Sequence, residues 1–445
     1  MSVKVRSPIQ EVLAIRPFRF LWAAQALAQT AQNAYRFILI VLIEKLTGST
    51  MHLGFIILAF TLPGAVLGPV AGVFVDRWPK KWILTLSNLL RVLMVLSFIP
   101  VLHFIPGTWG KVFTIYAITL VTSSIGQFFA PAETAAIPML VGEDALMAAN
   151  SLFNFTLAGA QAFGWVILAP LVLKLFGVEA AFGIMATFYA AATVLVYKID
   201  LREEPHELAH VAESVEDRWR TMLAQIKEGW SFVARHPKIY LSLGYLTLVG
   251  TLLMVIGMIG PGFASRVLGL SAEDSYIVFA PAGIGMVATT IVMGMHGHNI
   301  SRRILAHGSI AGTAFGFWGL YAVSKGYNRF HVPLFHFEPE AFLNVTTSVI
   351  VLSFILGVTM TTLNIVGQTN LQESTPPEVR GRVFSIQFVL GSVVSAVPML
   401  VIGGLADAVG IPTVMKWIGY SLALVLLLNY WLYRKASKEG RDILE

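Results

Sequence analysis

The chain has 445 residues, 56% hydrophobic and only 13% charged, and its mean hydropathy is +0.72. A soluble domain carries about 25% charged residues, so a chain this long with half that charge excludes one large soluble core and indicates a polytopic membrane protein. The absence of cysteine excludes disulfides, thiolate nucleophiles and Cys-ligated metal sites.

A helix that crosses a bilayer needs roughly 17–25 mostly apolar residues. Twelve such segments are predicted, near 18–43, 52–75, 82–105, 111–131, 150–176, 178–198, 239–262, 274–297, 303–325, 343–368, 383–408 and 411–433. The leading MSVKVRSPIQEVLAIRPFRF has no small-residue cleavage site behind a short apolar core, so the first segment is expected to stay in the mature protein. If the N-terminus lies inside, the inner segments hold 22 Lys and Arg against 7 outside. That imbalance predicts both termini in the cytoplasm. One inner segment, 132–149, has no Lys or Arg at all, so the rule holds by sum and not loop by loop.

The first segment carries Gln25, Gln29, Gln32 and Arg36 on one helical face, with Asn33 beside them. After the second comes GVFVDRWPKK, which packs Asp76, Arg77, Lys80 and Lys81 behind Gly72, with Gly68 one turn earlier. Arg91 lies within the third segment, one turn from Ser87 and Asn88. An Arg at that depth costs about 2.5–3.5 kcal/mol on insertion scales, so it should face water, a carboxylate or an anion. Gln127 in the fourth segment and Asn150, Asn154 and Gln161 in the fifth add further amides, and Glu133 and Glu143 follow the fourth. The tenth places Thr361, Asn364, Gln368 and Gln372 on one face. Each set reads either as the lining of a water-filled path or as interhelical hydrogen bonding that holds a bundle together.

Between the sixth and seventh segments lies a charged stretch, 201–237, whose later part has the apolar spacing of an amphipathic helix on a membrane face or of a packed linker helix. It contains HELAH, His206 to His210, the spacing of a zinc-binding H-E-x-x-H pair. A chance match is the preferred reading, since catalysis would also need a third ligand and a water-excluding cleft. No P-loop pattern is present.

The second half repeats the first. Gly72-x-x-x-Asp76-Arg77-x-x-Lys80-Lys81 lies without a gap on Gly294-x-x-x-His298-Asn299-x-x-Arg302-Arg303, and Glu143 to Asn150 has its counterpart in Glu378 to Ser385, around Arg380 and Arg382. Two matches at corresponding places indicate a parallel duplication.

Twelve segments in two halves, a charged middle and G-x-x-x-D-R-x-x-K-K after the second segment resemble the major facilitator superfamily. FRFLWAAQALAQTAQNA, FAPAETAAIPMLVGEDALMAANSL and PPEVRGRVFS are similar to its bacterial exporters of macrolides and enterobactin, and to its lysophospholipid transporters.

The resemblance implies an all-α integral membrane fold of twelve transmembrane helices in two pseudo-symmetric halves. The halves would be 1–200 and 238–445, joined by the cytoplasmic linker 201–237. It implies a monomeric secondary transporter in the bacterial cytoplasmic membrane, exporting an amphiphilic small molecule by alternating access; a lipid or lysophospholipid flippase is the alternative. No cofactor, enzyme activity or nucleic-acid partner is expected, and a proton is the candidate coupling ion. The substrate path would use Gln25, Gln29, Gln32, Asn33, Arg36, Arg91, Gln127, Asn154, Gln161, Thr361, Asn364 and Gln368. Asp76 would latch the cytoplasmic side onto the N-terminus of the helix beginning near Val383. Arg77, Lys80 and Lys81 would anchor the loop or pair with Glu133 or Glu143, and Gly294, His298, Arg302, Arg303, Glu378, Arg380 and Arg382 would form the second-half counterpart. The acids Glu44, Glu133 and Asp407 are placed at segment ends, which leaves no proton carrier at mid-depth.

Overall fold

The computed structural model describes residues 8–142, 145–201, 230–297, 300–329 and 339–438, with the backbone alone at some of them, including Gly72, Asp76, Arg77 and Glu378. The described residues form helices and no strand. That is what apolar surroundings dictate, since a helix satisfies its backbone groups within one segment.

In chain order the helices are α1 (Pro8–Ala14), α2 (Arg16–Thr47), α3 (Thr50–Arg77), α4 (Lys80–Phe104), α5 (Thr108–Leu140), α6 (Leu146–Ala162) and α7 (Ala169–Tyr197). There follow α8 (Pro237–Gly262), α9 (Tyr276–His296), α10 (Arg302–Arg329), α11 (Pro339–Ser374), α12 (Pro377–Val389), α13 (Ala396–Val409) and α14 (Ile411–Lys438). Among the described residues, ten helical stretches are long and apolar enough to cross a membrane. One of these, Leu146–Tyr197, covers 52 residues and breaks at Gly177, where φ is 78° and ψ 178°, a conformation open to glycine alone without strain. α10 falls where the ninth segment was expected. α12 starts at Pro377, earlier than the expected Val383.

Among the described residues, three π-helical turns interrupt the long helices: Phe163–Leu168 joins α6 to α7, Phe263–Val267 extends α8, and Leu390–Val394 precedes α13. The first and third occupy corresponding places in the two halves of the sequence. At each, a neighbouring helix comes close. A Cβ on Gly164 would lie 2.9 Å from the Thr30 carbonyl of α2, and one on Gly250 of α8 would lie 3.6 Å from the Gly391 carbonyl.

The chain divides into two compact units: residues 1–46 with 58–222, and residues 47–57 with 223–445. In the first, Phe98 of α4 stacks on Phe182 of α7 at 4.9 Å, and Trp22 of α2 donates a 2.7 Å hydrogen bond to Thr156 of α6. In the second, Gly312, Gly316 and Gly319 of α10 admit Thr359, Leu356 and Leu352 of α11, which lets the two helices cross closely. Tyr245 of α8 and Asn429 of α14 exchange buried hydrogen bonds of 2.8 and 3.0 Å.

Candidate functional site

The first unit encloses a cluster of polar side chains among α2, α4, α5 and α7. Its centre is Arg91, only 2% exposed, which α4 directs inward together with Asn88 one turn before it. The guanidinium lies 4.8 Å from the ring centre of Phe129 and 5.7 Å from that of Tyr189. A cation over two aromatic faces away from water gains about 2 kcal/mol or more, which offsets part of the cost of burying it. Room comes from Gly126, where a Cβ would stand 3.1 Å from Arg91 Nη2.

On the same helices several polar atoms lack a partner. Arg91 Nη1, both side-chain polar atoms of Asn88, Thr119 Oγ1, Ser123 Oγ, Tyr189 Oη and Glu133 Oε1 are all buried without a hydrogen bond. An unmatched buried polar group costs about 1–3 kcal/mol. Such atoms on α4, α5 and α7 therefore call for a partner, whether water or a ligand. Arg36, half-buried on α2, places its guanidinium 5.6 Å from the Phe60 ring centre and keeps an unpartnered Nε. Tyr35 beside it lies within electrostatic reach of both arginines.

The remaining expected path residues are dispersed. On α2, Gln25 is buried with an unpartnered Oε1, Gln29 and Gln32 are half-buried, and Asn33 donates to the Gln29 carbonyl at 2.9 Å. Gln127 is half-buried on α5 and donates to the Ser123 carbonyl at 3.2 Å. Asn154 and Gln161 are exposed on α6. In the second unit Thr361, Asn364 and Gln368 are all half-buried on one face of α11, and Thr361 Oγ1 has no partner.

Of the expected latch residues, Glu143 and His298 lie outside the described residues, as does HELAH, and the side chains of Asp76, Arg77 and Glu378 are not described. Gly68, Lys80 and Lys81 are half-buried, with the Lys81 amine 5.3 Å from the Tyr197 ring centre. Gly294 and Arg303 are exposed. Arg302 donates to Glu373 at 2.8 Å and to Asn370 at 2.9 Å, and Arg380 reaches the Gln372 carbonyl at 3.4 Å.

One acid, Glu133, differs from its expected setting at a segment end, and Asp407 keeps its own near the end of α13. α5 continues to Leu140, through Pro131 and Pro138, so Glu133 sits inside the helix and is 5% exposed. Asp407, in the second unit, accepts from the Thr50 and Met51 amides at 2.6 and 2.9 Å and from the Ser49 hydroxyl at 2.6 Å, capping α3. Arg266 meets the same carboxylate at 3.3 Å and donates to the Thr50 hydroxyl at 2.6 Å. Among the described residues no group of three or more His, Cys, Asp or Glu could hold a metal ion.

Long apolar helices that carry a buried Arg and buried amides suit a membrane transporter. Residues 21–337 match the family model described as Major Facilitator Superfamily, and the chain belongs to that superfamily. It is 26% identical over 387 residues to the MFS-type transporter YfiS of Bacillus subtilis, covering 86% of this chain and 82% of that one. It is 24% identical over 406 residues to macrolide efflux protein A of Streptococcus pyogenes, covering 88% and 90%. Among solved structures, the nucleoside transporter NupG matches with a TM-score of 0.67 at 14% identity over 94% of this chain and 99% of its own. The peptide transporter PepTSo matches with a TM-score of 0.64 at 13% identity, over 96% and 99%. These structures share the fold. The chain is a multi-pass membrane transporter and not an enzyme.

Proposed function

We propose that this chain exports an amphiphilic small molecule across the bacterial cytoplasmic membrane by alternating access of two six-helix halves, 1–200 and 238–445, about the linker 201–237. The excess of Lys and Arg in alternate segments supports a cytoplasmic position for both termini. The observation that carries the reading is the buried cation Arg91 with its surrounding unpartnered polar atoms. These suit a neutral or anionic amphiphile that brings hydrogen-bonding groups with it, and Arg36 and the amide faces of α2 and α11 extend the polar path. Macrolides are the first cargo to try, because an exporter of S. pyogenes with similarity across most of the chain is named for them.

The test is accumulation of a labelled macrolide in an efflux-deficient bacterium with and without the chain. Several-fold lower accumulation is expected, returning to the control level in Arg36→Gln and Arg91→Gln variants that reach the membrane. A parallel arm follows labelled lysophospholipid across inside-out vesicles, and activity there alone would favour the lipid reading. Movement of neither class of amphiphile would overturn the proposal.

A further inference from the structure

We propose that Glu133 is a proton-binding site within the first unit, and that Arg91 is the cation that holds its ionised form. The inference rests on the transporter reading and names the ion that would drive it. Glu133 is set into α5 four residues beyond Phe129, whose ring lies under the Arg91 guanidinium. It is buried, its Oε1 has no hydrogen-bond partner, and it lies within electrostatic reach of Arg91. A buried carboxylate with an unmatched oxygen is costly, and a neutral carboxyl far less so. Arg91 keeps an unpartnered Nη1 of its own. The cluster therefore supports two arrangements: a neutral Glu133 with Arg91 resting on Phe129 and Tyr189, or an ionised Glu133 paired with that free Nη1.

The other titratable groups of the cluster are Tyr35 and Arg36 on α2 and Tyr189 on α7. None of them is a carboxyl, so Glu133 is the acid that this cluster offers among the described residues. The step itself is simple. When water enters, the Glu133 O–H bond breaks, the proton leaves as hydronium, and the electron pair stays on a carboxylate that Arg91 neutralises. The reverse step binds a proton and frees Arg91. Protonation thus decides whether cargo meets a free guanidinium or one already engaged.

The experiment is infrared pH-difference spectroscopy on the full chain in lipid nanodiscs, between about pH 5 and 9, which needs no cargo. A carbonyl band of a neutral carboxylic acid in apolar surroundings is expected to vanish as pH rises, and to be missing in Glu133→Gln, a near-isostere of the neutral acid. In Arg91→Gln the band should persist about one pH unit higher or more, and Arg91→Lys should restore most of the original midpoint. No Glu133-dependent band, or one whose midpoint ignores Arg91, overturns the inference. In proteoliposomes, macrolide transport driven by a pH gradient is expected to fall at least tenfold in Glu133→Gln, while exchange without a gradient continues. Undiminished gradient-driven transport in that variant would also overturn it. If macrolide does not move at all, the transport reading fails while the titration still decides the proton site.

Discussion

Gly126 sets where the Arg91 guanidinium can lie. A methyl group there would approach Nη2 to 3.1 Å, which a flexible side chain can absorb by a shift of a few tenths of an ångström. A valine would fill the space outright. Gly126→Val should therefore cost about 1–3 kcal/mol through overpacking and lift Arg91 off Phe129, and Gly126→Ala should cost much less. Thermal unfolding of the two purified variants checks the order, and equal effects would argue that the guanidinium is not held as described. Arg36 and Arg91 were legible in the sequence because a charge inside an apolar run is conspicuous. Phe129, Tyr189 and Gly126 were not, since aromatic and small residues in such a run look like ordinary filling until tertiary contact gives them a cation to hold. The α5 face Thr119, Ser123, Gly126, at helical spacing, was the available signal. Glu133 was misplaced because its apolar run was ended at Pro131. Inside a membrane bundle neighbouring groups can satisfy the backbone that a proline disturbs, and the helix continues to Leu140.

At the scale of elements, the ends of helices carry as much chemistry as their faces. The first amides of α3 have no partner within their own helix, and Asp407 supplies one from 357 residues away in sequence. An anion at a helix N-terminus also meets the positive end of the macrodipole. Asp407→Ala would leave the Thr50 and Met51 amides and the Arg266 guanidinium short of an acceptor. The loss should be about 1–3 kcal/mol, read as a lower midpoint of thermal unfolding in detergent, with Asp407→Asn intermediate because its carbonyl can still accept. An unchanged midpoint in Asp407→Ala would show that water replaces the carboxylate without penalty. The existence of nearly every helix could be read from hydropathy alone, because length and apolar composition suffice. The π turns could not. At the first of them the α2 backbone lies against Gly164, and no local pattern records a neighbour.

For the whole molecule, transport requires that one arrangement of the two halves be held by contacts the other lacks, since an equilibrium moves only by a difference in free energy between its states. We propose Asp76 as one such contact. It is the last residue but one of α3, inside the G-x-x-x-D-R-x-x-K-K run, where the basic residues account for topology and the acid does not. The capping of α3 by Asp407 shows that this chain already uses a carboxylate on a distant helix N-terminus, and Asp76 would do the same for α12, whose first residue is Pro377. Proline at that position supplies no N–H of its own, so the amides that follow it are the ones an anion would serve. The second-half copy carries His298 in place of the acid, so a duplicated latch would be unequal, with its full anionic strength in the first half alone. Asp76→Asn should retain insertion and folding, because the basic residues of the motif, which hold the loop in the cytoplasm, are unchanged. It should lower cargo transport in proteoliposomes at least tenfold, because the favoured arrangement loses the charge that distinguishes it. Asp76→Glu, with charge kept but reach altered, should fall between. Equal transport rates for Asp76→Asn and the parent, at equal amounts of inserted protein, would remove Asp76 from the mechanism and leave the motif as a topology signal alone.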